Sequence, residues 1–64
     1  MQVNGEQVTL DKAVSVADYL EQHGYRAERV AVELDGAIVP RDKRADVMLG
    51  DQSVMEIVQF VQGG

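Results

Sequence analysis

Gly63 and Gly64 stand at the carboxyl end of the sequence, one residue after the apolar run Val54, Met55, Ile57, Val58, Phe60, Val61. A glycine pair in that position is a chemical handle. With no Cβ, the two residues thread a narrow channel and adopt φ > 0 at little steric cost, and the carbonyl of Gly64 is unhindered toward nucleophiles. A carboxylate is a poor electrophile because it is ionised near neutral pH. Chemistry on it therefore requires activation from outside, as an acyl phosphate or acyl adenylate. The competing reading of the same two residues is an inert, frayed tail.

Size and composition narrow what such a handle serves. A chain of 64 residues forms one domain whose single core supplies at most roughly 3–5 kcal/mol. That leaves no room for a substrate pocket of enzyme size, so the expected role is not catalytic. The net charge of −5 and pI of about 4.5 oppose nucleic acid and anionic membrane surfaces and suit a basic surface on a partner protein. Arg41, Lys43 and Arg44 are interleaved with Asp42 and Asp46, which reads as a solvated connection rather than a phosphate site. The sequence contains no cysteine, which excludes a disulfide scaffold, a thiolate metal site and a thiol nucleophile. His23 stands alone, favouring a dipole-stabilised surface role over metal binding. The polar start, Met1-Gln2-Val3-Asn4-Gly5, does not read as a signal peptide. A cytoplasmic location is the expectation.

The elements that position the handle follow from local patterns. Asn4-Gly5 tolerates the positive φ of a type I′ turn, with strands expected over Met1 to Val3 and Gln7 to Leu10. Ser15 is placed to cap a helix, with Asp18 three residues on and Val14 and Tyr19 at staple spacing. The helix spans roughly Val16 to His23; Val16 and Leu20, with Ala17 and Tyr19, form its apolar face, and Gly24 is its C′ residue. Arg26 to Arg29 is a polar connection. Val30 to Leu34 is a strand, joined through Asp35-Gly36 to Ala37-Ile38-Val39, and Pro40 ends the second arm. Arg41 to Leu49 is irregular or a single helical turn, with Val47 and Leu49 closing the core. After a Gly50-Asp51 turn, Ser53 to Phe60 is the last and longest strand.

Hairpin, helix, hairpin, crossover and final strand give an α+β two-layer domain, since one helix with one apolar face needs a sheet to cover it. Placing the last strand between the first and third puts the most apolar segment at the sheet centre. This is the β-grasp, or ubiquitin-like, arrangement: a mixed sheet of four to five strands with one main helix on one face. Along the last strand, Met55 and Ile57 share one face while Val54, Glu56, Val58 and Phe60 share the other. With the helix over Met55 and Ile57, Val58 and Phe60 lie on the open face just before the tail, where they and neighbours from the Val30-to-Leu34 strand make a docking patch. Periodicity alone also permits the opposite assignment.

Several pieces, in order and spacing, resemble the ThiS family of sulfur carriers over essentially the whole chain. They are Val3-Asn4-Gly5-Glu6, Val30 to Leu34 with its turn, Ile38-Val39-Pro40-Arg41, Gly50-Asp51, and Glu56-Ile57-Val58 with Phe60 and Gly63-Gly64. Asp35 stands where the family usually has asparagine, and Arg44 near where many members have tryptophan. The resemblance implies residues 1–64 as a single ubiquitin-like carrier domain, with 61–64 a flexible tail. It also implies that Gly64 is adenylated by an E1-like enzyme using ATP and magnesium, neither bound by this chain, and converted to a thiocarboxylate. The sulfur originates from cysteine, by way of a cysteine desulfurase. Thiazole synthase then takes it to build the thiazole ring of thiamine, with Gly63 allowing passage into both enzymes' channels. The small subunit of molybdopterin synthase shares fold and tail, but those chains tend to be longer and to carry prolines in the last strand, of which Val58 to Gln62 has none. A protein modifier acting through Gly64 and a plain binding domain with an inert tail are the remaining readings.

Overall fold

Two tight turns and one capped helix set the architecture of the computed structural model, which describes residues 1–60. Strands β1 (Gln2–Val3) and β2 (Glu6–Gln7) are joined by Asn4-Gly5, with Val3 opposite Glu6. Both turn residues have positive φ, 52° at Asn4 and 84° at Gly5, as a type I′ turn requires. The second arm is shorter than the expected Gln7-to-Leu10 strand. Val8 still exchanges backbone hydrogen bonds with Met1, and the chain then leaves the sheet to reach the helix.

A short β3 (Val14–Ser15) leads into α1 (Val16–Gln22). Ser15 accepts the Asp18 backbone N–H at 3.0 Å, satisfying one of the helix's orphan donors. At the other end Gly24 takes φ 79°, its N–H donates to the Glu21 carbonyl and that of Tyr25 to the Leu20 carbonyl. That is the Schellman pattern. Val16, Tyr19 and Leu20 are buried against the sheet. Tyr19 also carries the ring of His23, stacked at 4.0 Å, while His23 Nδ1 donates to the Tyr19 carbonyl at 3.0 Å. Burial raises the Tyr19 phenol above its ordinary range, with Tyr25 adding to the effect, so this core tyrosine stays neutral.

Strand β4 (Val30–Leu34) turns back through Asp35-Gly36 into β5 (Ala37–Ile38), and after the crossover β6 (Met48–Leu49) and β7 (Val54–Gln59) complete the fold. The main sheet has the order β2-β1-β7-β4-β5, with β7 parallel to β1 and antiparallel to β4. Val32 and Met55 are fully buried, and with Met1, Val3, Val30, Ile57, Leu49 and the helix residues they form the core. The expected central placement of the last strand is met.

Three further features depart from the sequence expectation. Val14 and Ser15 form a strand paired with Met48 and Leu49 in a second, two-stranded sheet, and the Val16 N–H donates to the Val47 carbonyl. This ladder fixes where the helix starts. The connection before β4 contains a 3-10 turn at Ala27–Arg29, and the crossover is a 3-10 helix over Arg41–Asp46. The third departure is Arg44, which is not a solvated residue but only 5% exposed. Its guanidinium donates to the carbonyls of Ala27 (2.9 Å) and Val30 (2.8 Å), clamping the crossover to the start of β4. Burial pushes its pKa down from the ordinary arginine range, with the Arg41 charge adding to the effect. Arginine nevertheless remains a cation, held by backbone dipoles in place of a carboxylate.

Both hairpin turns also hold β7. Asn4 Oδ1 accepts the Ile57 N–H at 2.7 Å, and Asp35 Oδ1 accepts the Val54 N–H at 3.0 Å. Either aspartate or asparagine supplies such an oxygen, so Asp35 is compatible with the turn. Asn4→Gly keeps the positive φ and removes only the side-chain acceptor. It is expected to cost about 1–2 kcal/mol, read as a drop of roughly 4–16 °C in melting temperature. An unchanged melt would show that the Ile57 amide finds another partner at no cost.

Candidate docking face and tail

Two of the functional candidates, Val58 and Phe60, lie on the side of the sheet that the helix leaves uncovered. Alternation along β7 sends Met55 and Ile57 into the core, at 0% and 6% exposure, and turns Val58 to the outside, at 57%. Phe60 follows the strand, 49% exposed, and its N–H donates to the Arg29 carbonyl at 2.8 Å. The ladder therefore holds the chain as far as Phe60. Of the sequence-predicted site residues, Val58 and Phe60 lie together on this face, while Gly63 and Gly64 lie outside the described residues.

Register extends the patch beyond those two. Ala31 lies opposite Val58, Glu33 opposite Glu56, and Ile38 opposite Glu33 on the next strand. Ile38 is 72% exposed, a large apolar side chain held outside by a two-residue turn. The sequence reading of the face omitted it, although the signal was there: a two-residue Asp35-Gly36 loop pairs Leu34 with Ala37 and so places Ile38 beside Glu33. Val54 sits across from Gln2 of β1. The result is a band of Ile38, Val54, Val58 and Phe60 with two carboxylates at its centre. An exposed apolar band of this kind is a candidate interaction surface.

The remainder of the surface is less suggestive. A shallow hollow between α1 and the crossover is lined by Leu20, Glu21, Tyr25, Arg41 and Arg44, with acidic and basic groups side by side. Among the described residues no three His, Cys, Asp or Glu side chains are grouped to hold a metal ion, and no helix is long and apolar enough to cross a membrane.

Comparison with known proteins gives this surface its context. The sequence profile of the ThiS family matches residues 1–64. The crystal structure of the thiamine biosynthesis protein ThiS from Geobacter metallireducens superposes with a TM-score of 0.83 at 30% identity, covering 98% of this chain and 96% of that one. A protein of Pyropia yezoensis described as the uncharacterized protein ycf40 is 34% identical over 64 residues, all of this chain and 90% of its own length. A thiazole synthase of Paramagnetospirillum magneticum is 36% identical over 62 residues, which are 97% of this chain but only 19% of that protein. Fold, full-length profile match and relatives agree: this chain belongs to the ThiS family.

Proposed function

We propose that the protein is a sulfur carrier whose terminal carboxylate, on Gly64, is the cargo site. Family membership makes this the leading reading. The observation that carries it is the exposed Val58–Phe60 patch on the central strand, a few residues before Gly63-Gly64. Four residues reach at most about 14 Å, so a partner that grips the patch has the terminal carboxylate within a short, fixed radius. Glycine at the last two positions suits a narrow channel.

In this reading the Gly64 carboxylate attacks the α-phosphorus of ATP on an E1-like enzyme, expelling pyrophosphate and giving an acyl adenylate. Magnesium is held with the nucleotide by that enzyme. A persulfide, formed from cysteine by a cysteine desulfurase, then attacks the acyl carbon and displaces AMP to give an acyl disulfide. A second thiol, which excess cysteine can supply, attacks the persulfide-side sulfur, ends as a disulfide with it and releases the thiocarboxylate. Adenylation is what makes the carbonyl attackable, because it converts a poor leaving group into a good one. The chain contributes the handle and the docking face, acts as a cosubstrate rather than an enzyme, and works in the cytoplasm.

Thiazole synthase is the proposed acceptor. In its support, a thiazole synthase contains a 62-residue stretch similar to this chain, so a carrier-like segment and that activity occur in one polypeptide. Incubating the sulfur-loaded protein with thiazole synthase and its other substrates is expected to return the carrier to its unloaded mass as the thiazole forms. Discharge by the large subunit of molybdopterin synthase, and not by thiazole synthase, would transfer the protein to the molybdopterin pathway. Covalent conjugates with lysine-bearing proteins would make it a modifier.

A further inference from the structure

We infer that the open face of the sheet receives a basic side chain of its protein partner between Glu33 and Glu56, within an apolar surround of Ile38, Val54, Val58 and Phe60. The inference rests on the proposed docking role of this face and adds what the face recognises.

Glu33 and Glu56 are directly opposed on antiparallel strands β4 and β7. Side chains so placed have Cβ atoms only about 4.5–5.5 Å apart, and like charges there are destabilising. A cation set between them would offset that repulsion. The one ion pair among the described residues is Arg26 with Glu28, and neither Glu33 nor Glu56 has a cationic partner there. A guanidinium set between two carboxylates can donate to both, and an ammonium group fits as a point charge. Ile38, at 72% exposure, flanks the pair on one side, and Val58, at 57%, follows Glu56 by two residues on the same face. When these apolar groups are covered by a partner, water leaves the pair and its attraction for a cation strengthens.

Charge selects the occupant. A second copy of the chain would bring Glu33 and Glu56 against an equally acidic face, with a net charge of −5 on each molecule. Nucleic acid and anionic lipid would be repelled in the same way. A protein surface bearing an arginine or lysine among apolar side chains complements both components of the face.

The test uses the full chain and a ThiS-type adenylating enzyme, with dissociation constants measured by calorimetry at low and high ionic strength. Glu33→Gln and Glu56→Gln are each expected to weaken binding about tenfold, and the double variant to lose most of the salt dependence seen with the wild type. The melting temperature of the free double variant is expected to stay the same or rise, because a like-charge opposition is removed, whereas a purely structural role would lower it. If the wild type gains sulfur at Gly64 and the double variant binds with unchanged affinity and salt dependence, the cation contact is overturned and the carrier reading stands. If the wild type neither binds the enzyme nor gains sulfur, both fall together.

Discussion

Val58→Asp is expected to weaken binding to the adenylating enzyme by about a hundredfold while leaving the free protein's melting temperature almost unchanged. The side chain is 57% exposed on the uncovered face, so a carboxylate there stays hydrated in the free protein. At an interface it would be desolvated beside an apolar surface and next to Glu56, and central interface positions are worth about 2–4 kcal/mol. Ile57→Asp is the matched comparison, one residue away on the same strand. Ile57 is 6% exposed and faces the helix, where an unpaired charge costs several kcal/mol. That meets or exceeds the roughly 3–5 kcal/mol a domain of this size commands, so Ile57→Asp should be unfolded by circular dichroism. Unfolding by Val58→Asp, or tolerance of Ile57→Asp, would invert the face assignment.

Arg44→Met is expected to remove most of the protein's stability, about 2–4 kcal/mol. Methionine retains apolar volume but leaves the carbonyls of Ala27 and Val30 without the guanidinium that now donates to both. Hydrogen bonds to a charged group are worth about 1.5–3 kcal/mol each, and some of that loss is recovered by no longer burying a cation. Urea unfolding should show the midpoint falling by more than half with little change in slope. A midpoint close to that of the wild type would mean that crossover packing, rather than the clamp, holds the start of β4.

Much of this architecture is legible in the sequence because its signals are local. Asn4-Gly5 and Asp35-Gly36 turn where two left-handed residues are needed, with φ of 52° at both Asn4 and Asp35. Ser15 and Gly24 bracket a helix whose buried residues fall at helical spacing. Period-two alternation in β7 sorts its side chains into two faces, and the packing of the helix decides that Met55 and Ile57 go in. Ile38 on the open face was a local signal passed over; the other misses depended on tertiary partners. Val14 resembles a staple residue, and only the arrival of Met48 and Leu49 from the crossover makes it a strand. Arg44 sits in an alternating basic and acidic run that reads like any exposed connection, and its burial follows from two carbonyls 14 and 17 residues away. The opposition of Glu33 and Glu56 arises from pairing between β4 and β7, strands that are not consecutive, so no local turn sets its register.

The central claim is that Gly64 carries sulfur, and intact-protein mass spectrometry tests it most directly. The full chain is incubated with a ThiS-type adenylating enzyme, ATP, magnesium, a cysteine desulfurase and cysteine. A variant lacking Gly63 and Gly64 serves as control. The account predicts that the wild type gains the mass of one oxygen-to-sulfur exchange, that fragmentation places the gain on Gly64, and that the control gains nothing. A wild-type chain of unchanged mass, under conditions in which the same enzyme loads another ThiS-family carrier, would contradict the claim and leave a binding domain with an inert tail.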